Sequence, residues 1–193
     1  LGVEHLSAYS LMYEESTPLY RMLLKGEIEE IEEETSRQMY YMLIDRLEQA
    51  GYEQYEISNF ARSGHRSRHN SSYWQAVPYM GLGASAHSYD CRSRQWNVEN
   101  LKTYVEAIEQ NRIPMEMETL TPETTYNDLI TTTLRTREGI DLSALSTVFE
   151  RHFMQCAQKY IATNLLEVRG NRAKLTRQGL YVSDAVMSDL MFV

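Results

Sequence analysis

The sequence is short of three things: cysteine, basic charge and long apolar runs. Cys91 and Cys156 are its two cysteines, far apart and in no CxxC arrangement. That excludes a disulfide framework, and a complete thiolate set for zinc or an iron-sulfur cluster held by this chain alone. No apolar run approaches the roughly 20 residues of a membrane span, and the N-terminal residues do not have the basic-then-apolar form of a signal peptide. These absences lead us to expect a cytoplasmic protein. Lys and Arg number 11 against 19 Asp and Glu in residues 1–118, and 8 against 8 in residues 119–193, within a net charge of -8. Neither part offers the basic face that phosphate contacts require, so no nucleic-acid partner is expected.

The 193 residues, 42% of them hydrophobic, suffice for one large domain or two small ones. The chain begins at Leu1 without an initiating Met, and Val3, Leu6, Ala8, Tyr9 and Leu11 follow at once in a strand-like segment, so it reads as a piece of a longer protein. Residues 4–12 suit a buried strand ending near Tyr13, which Thr17-Pro18 breaks. The acidic run from Glu27 to Glu34 leads into a helix with Met39, Leu43, Leu47 and Ala50 on one stripe and Tyr40 and Ile44 beside it, stopped by Gly51. Tyr52 to Phe60 then reads as a second strand, giving a βαβ unit and a parallel sheet. Residues 61–97 lose periodicity, as a long functional loop would. A helix through Leu101, Tyr104, Val105 and Ile108 ends before Pro114, and residues 115–120 read as a linker, placing a domain boundary between Arg112 and Thr121.

Beyond it the pattern changes. Thr121 caps a helix opened by Pro122, with Tyr126, Leu129, Ile130 and Leu134 on its inner face and Gly139 past its end. A short helix starts at Asp141 or Ser143 and runs through Leu145, Val148 and Phe149, and a third carries Phe153, Ala157, Tyr160 and Ile161. A hairpin turning at Gly170-Asn171 and a last helix with Leu180, Val186 and Leu190 complete a winged-helix-like α+β module.

Three constellations could carry chemistry. Arg66-Ser67-Arg68-His69-Asn70-Ser71-Ser72-Tyr73-Trp74 combines an imidazole able to ligate iron with aromatic and guanidinium groups suited to a flat, anionic macrocycle. Its ordinary reading is local: His69 and Asn70 cap turns while Tyr73 and Trp74 pack in the core. The run from Gly81 to Ser88 matches the dinucleotide pattern GxGxxA. Pro78 and Tyr79 precede it where a strand should stand, and Tyr89 to Asn97 do not read as its helix, which leaves glycines that let the backbone pass close to a ligand or to another segment. Glu14 and Glu15, at the end of the first strand, stand where α/β folds place ligands or form a solvated loop edge.

Together, Glu-His-Leu-Ser-Ala-Tyr-Ser-Leu (4–11), Ser-Thr-Pro-Leu-Tyr (16–20), the segment 51–61, His-Asn-Ser-Ser-Tyr-Trp (69–74) and the segment 79–88 resemble the oxygen-independent coproporphyrinogen III oxidases and their relatives. The His-Asn-x-x-Tyr-Trp motif resembles the heme-chaperone branch of that family most closely. The resemblance implies a radical S-adenosylmethionine protein, with a partial (βα) barrel whose 4Fe-4S cluster sits on an N-terminal CxxxCxxC loop. This chain has no such loop and no cluster ligands. By the same resemblance, residues 1–118 are the C-terminal part of the barrel with its ligand-binding loops, and residues 119–193 are the family's C-terminal helical domain. His69 is then the candidate ligand of heme iron, set among Asn70, Tyr73 and Trp74, with Arg66 and Arg68 available to the propionates. Leu11, Met12, Gly81, Gly83, Ala86 and His87 match the region where the oxidases hold a second adenosylmethionine. His87 departs from the aliphatic residue usual there, and Ser16 and Ser85 replace common glycines.

The resulting expectation is a heme-binding, heme-transferring protein whose partners are heme or porphyrin and heme-acceptor proteins, membrane-associated ones included. An oxidoreductase decarboxylating the propionates of coproporphyrinogen III is the enzymatic alternative, and a winged-helix nucleic-acid binder is the third. In either of the first two, this chain is expected to be inactive alone in radical chemistry, because two cysteines are one short of the three thiolates required.

Overall fold

A computed structural model describes residues 2–193. The chain divides into two compact units, Leu1–Ser67 and Arg68–Val193.

In the first unit, strand β1 (His5–Ser7) is followed by helices α1 (Pro18–Leu24) and α2 (Glu33–Gln49) and strands β2 (Glu53–Glu56) and β3 (Asn59–Ala61). Thr17 caps α1 by accepting the Tyr20 amide at 3.1 Å, with Pro18 in the first helical turn. Glu33 and Glu34 occupy the first turn of α2, where carboxylates favour the helix dipole. Gly51, with φ +82°, ends it as expected.

The parallel βαβ unit expected here is not formed. The sheet order is β1-β3-β2, with both pairings antiparallel, so β1 and β2 share a direction but are separated by β3. The reason lies in residues 56–59. The Glu56 carboxylate accepts the Ser58 amide at 3.0 Å and the Asn59 side chain at 2.5 Å, closing a turn where a single strand was expected. Ile44, Tyr52 and Phe60 form the core of this unit, with Leu6, Ala8, Tyr40, Tyr41, Leu43 and Leu47 packed around them. Met39, expected on the buried stripe of α2, is exposed.

The second unit contains helix α3 (Arg68–Trp74), strands β4 (His87–Tyr89) and β5 (Ser93–Asn97), helix α4 (Leu101–Glu109) and strand β6 (Met115–Thr119). Residues 61–97 are therefore not one long loop, and residues 115–119 are not a linker: β6 pairs with β5 over its whole length in the antiparallel sheet β4-β5-β6. Alternating Met and Glu hid this strand, because its side chains are exposed on both faces. On α4 the expected stripe is only partly used. Leu101, Val105 and Ile108 are exposed, whereas Ala107 is buried and the half-buried Tyr104 meets the Gly83 amide with its hydroxyl.

The remainder comprises α5 (Pro122–Thr133), β7 (Ile140–Asp141), a 3-10 turn (Leu142–Ala144), α6 (Thr147–Ala162), β8 (Leu166–Arg169), β9 (Arg172–Leu175), α7 (Arg177–Tyr181) and α8 (Ser183–Leu190). Thr121 caps α5 as expected, accepting the Thr124 amide at 3.1 Å. The two helices expected between residues 141 and 161 are instead a 3-10 turn and one long helix, because Ser146 supplies the cap of α6. The β8-β9 hairpin turns at Gly170 and Asn171, and β7 joins it in the order β7-β9-β8. Tyr126, Ile130 and Leu134 of α5 and its C-cap pack in a core with Phe153, Leu166 and Leu190. The Tyr126 hydroxyl donates to the Leu190 carbonyl at 2.8 Å, satisfying a polar group that would be costly to bury unpaired. The molecule is thus a mixed α/β chain with small antiparallel sheets and a winged-helix-like C-terminal module. No helix among the described residues is long and apolar enough to cross a membrane.

Candidate functional site

The second unit opens on α3, which carries most of the Arg-His-Asn-x-x-Tyr-Trp cluster. His69 and Tyr73 are four residues apart on a helix and so share a face. Their rings meet edge to face with centroids 5.0 Å apart. Tyr73 in turn meets Tyr79 at 4.9 Å, and Tyr79 lies 6.0 Å from Tyr89. Reciprocal backbone hydrogen bonds of 2.9 Å between Tyr79 and Tyr89 fix that last pair. Burial pushes both phenols above their ordinary titration range. An aromatic wall thus leads from α3 to β4, with His69 exposed at its end.

The His69 ring has no hydrogen-bond partner among the described residues, so both of its nitrogens are open to a ligand. Arg68 is exposed, with no ion-pair partner among the described residues. Asn70 is half-buried and engaged. Trp74 turns the other way. The Arg135 guanidinium sits 4.4 Å above its ring, and its indole N–H is buried without an acceptor among the described residues. This tie holds α3 against the end of α5. Arg66 belongs to the first unit, where it pairs with Glu53 and stacks 5.4 Å over Tyr55, so its charge is already compensated.

The glycine segment is occupied by its own chain. The Gly81 amide donates to Ser88 Oγ at 2.9 Å, Gly83 to Tyr104, Ser85 to the Val98 carbonyl and Ala86 to the Gly83 carbonyl. The Asn97 side chain donates to the Gly83 carbonyl at 2.8 Å. Amides spent in this way cannot cradle a phosphate, so the dinucleotide pattern has a structural meaning here. A Cβ at Gly81 would stand 2.1 Å from the His87 carbonyl oxygen. Glycine is there because β4 passes against it.

His87 is exposed on β4, tilted against Trp96 at 6.2 Å, and Trp96 donates its indole N–H to Glu116 at 3.2 Å. Leu11 and Met12, in the first unit, are both exposed. Cys91 and Cys156 are free, and no group of three His, Cys, Asp or Glu side chains able to hold a metal ion occurs among the described residues. The donor set does not fit a 4Fe-4S cluster.

Sequence reasoning missed three contributors. Tyr79 and Tyr89 extend the aromatic wall through an isolated β-bridge that carries no periodicity, and Arg135 reaches Trp74 from a different part of the chain. It also missed the buried Glu56, whose network continues from Asn59 to the Ser7 hydroxyl at 2.6 Å.

Residues 120–182 match the family model described as the HemN C-terminal domain. Across 191 residues the chain is 34% identical to the heme chaperone HemW of Mycobacterium tuberculosis H37Rv, covering 98% of this chain and 48% of that protein. It is 40% identical over 114 residues to the heme chaperone HemW of Bacillus subtilis, covering 59% of this chain and 30% of that protein. Among solved structures, the radical SAM coproporphyrinogen III oxidase HemN of Escherichia coli matches with a TM-score of 0.70 at 15% identity, over 97% of this chain and 48% of that one. The chain spans about half the length of the curated relatives it matches across its whole length.

Proposed function

We propose, from the premise that this chain is homologous to the heme chaperones HemW across nearly its whole length and carries a HemN C-terminal domain, that it supplies the heme-binding surface of a heme chaperone. The observation that carries this reading is the His69 ring, exposed and without a hydrogen-bond partner among the described residues, at the end of the wall formed by Tyr73, Tyr79 and Tyr89. Heme is here the cargo. Its iron would take a nitrogen of neutral His69, its flat face would lie along the aromatic edge, and a propionate would meet Arg68. Trp74, clamped by Arg135, holds the helix that presents His69. Asn70 completes the setting on α3. Arg66 lies in the first unit and is already balanced by Glu53.

In the same reading residues 119–193 form the family's C-terminal domain, supported by the match over 120–182. The exposed Leu11 and Met12 offer apolar contacts for adenosylmethionine, whereas the Gly81, Gly83 and Ala86 amides are engaged by their own chain. A 4Fe-4S cluster and its adenosylmethionine chemistry would need ligands from outside this chain, because the two thiolates here cannot hold such a cluster. Heme-acceptor proteins are the proposed recipients.

Anaerobic assay of the full-length protein tests this function. Stoichiometric heme uptake, with no conversion of coproporphyrinogen propionates to vinyl groups, is the expected result. Multiple-turnover vinyl formation would replace the chaperone with an oxidase.

A further inference from the structure

Strand β6 forms an outer edge of the sheet β4-β5-β6, and all five of its residues are exposed. Its register fixes which backbone groups are spare. The Leu120 amide donates to the Arg92 carbonyl and the Val98 amide to the Pro114 carbonyl, both at 2.9 Å. In an antiparallel ladder, alternate residues point their N–H and C=O groups to the same side. Glu116 and Glu118 therefore turn their main chain toward β5, opposite Trp96 and Arg94, and Met115, Met117 and Thr119 turn theirs outward. No partner for those outward groups occurs among the described residues.

The side chains divide in the complementary way. One face presents the cross-strand rows His87-Trp96-Glu116 and Tyr89-Arg94-Glu118, which both end at the β6 edge on a carboxylate. Arg94 is committed to Asp128 of α5, so it leaves Glu118 without full compensation. The Trp96 indole donates to Glu116 but brings no charge. The opposite face presents Met115 and Met117, both exposed. The edge is thus a strip of unpaired backbone with acidic residues on one face and apolar residues on the other.

Charge selects the occupant. A second copy pairing antiparallel about Met117 would set Glu116 opposite Glu118 twice, at the closely spaced positions where like charges destabilise a sheet. A strand carrying Lys or Arg at those two positions would reverse the sign of both interactions and extend both rows by one residue.

We propose that the outer edge of β6 is a docking site for an extended segment of a partner protein in which basic and apolar residues alternate, added as a fourth strand by main-chain hydrogen bonds to Met115, Met117 and Thr119. This assignment rests on the edge and not on the heme reading.

The test uses the full-length protein with two labelled peptides, Lys-Val-Lys-Val-Lys and Glu-Val-Glu-Val-Glu, followed by fluorescence anisotropy and amide hydrogen exchange. The basic peptide is expected to bind and to slow exchange at Met117 and Thr119, while the acidic peptide does not. Reversing charge with E116K and E118K together should weaken the basic peptide by about tenfold or more and admit the acidic one. The exchange measurement on the unaltered protein stands even where the double variant folds poorly. Four results would overturn the proposal: binding of neither peptide, as glutamates that merely discourage edge aggregation would give; binding without protection of β6; an edge already protected before peptide is added; or edge-dependent self-association of the protein.

Discussion

At the scale of single residues, the groups that decide the behaviour of this chain are the ones whose partners are unusual. His69 has none for its ring nitrogens among the described residues, whereas Glu56 is buried and accepts from Ser58 and Asn59. Glu56→Ala removes the acceptor from two donors in the interior of the first unit. Leaving such donors unsatisfied costs about 1–3 kcal/mol, and urea denaturation should register a loss of that size. A loss within measurement error would mean that the turn at residues 57 and 58 does not depend on the carboxylate. Trp74 presents the reverse case, since its buried N–H has no acceptor to lose among the described residues. Trp74→Phe should therefore be tolerated far better in thermal melting than Trp74→Ala, which also removes the surface under Arg135. Of these residues, His69, Tyr73 and Trp74 stand out in the sequence because their types cluster within six consecutive positions. Glu56 and Arg135 were not, since a glutamate in a polar run and an arginine after a helix look solvated until their distant or folded-back partners are seen.

Elements were legible where a local signal fixed them and illegible where pairing did. Thr121-Pro122 announces α5 through capping chemistry alone, and Gly51 announces the end of α2. Strand β6 has no such signal. Its Met-Glu alternation gains meaning only from β5 beside it, and the sheet β1-β3-β2 is antiparallel because of a side-chain-closed turn that periodicity does not encode. The glycine segment was legible as unusual backbone but ambiguous in purpose, since the same residues serve a phosphate or a close crossing. The crossing is the one built, and Gly81→Ala tests it. A methyl group 2.1 Å from the His87 carbonyl must displace β4, so the variant should melt at a lower temperature and shift the amide resonances of His87 to Tyr89. Unchanged resonances in β4 would refute the close approach.

For the molecule as a whole, paired surface carboxylates set the response to acid, and the C-terminal module holds three of them. Lys174 holds Glu167 below the ordinary carboxylate range, Ser143 does so for Asp141, and Lys159 for Asp189. A depressed folded pKa contributes stability above the ordinary range and loses it as pH falls through that range. Asp128 has the opposite sign, because burial raises it and its contribution is lost as pH rises. Glu34, lowered by Arg37, and Asp90, lowered by the Arg92 and Ser93 amides, act in the same sense, and five depressed groups against one raised group predict melting temperatures that decline below the ordinary carboxylate range. The decline should be shallow and flattened by high salt, because the depressed groups are solvent-facing. Melting that improves on acidification would reverse the assignment. The heme proposal asks more of the molecule, and one comparison tests it most directly: heme titration of full-length protein and its His69→Ala variant, followed by the Soret band and far-UV circular dichroism. His69→Ala should lose the wild-type Soret signature while its circular dichroism is unchanged, and His87→Ala should retain that signature. A His69→Ala protein that binds heme with unaltered spectrum and affinity would contradict the proposal.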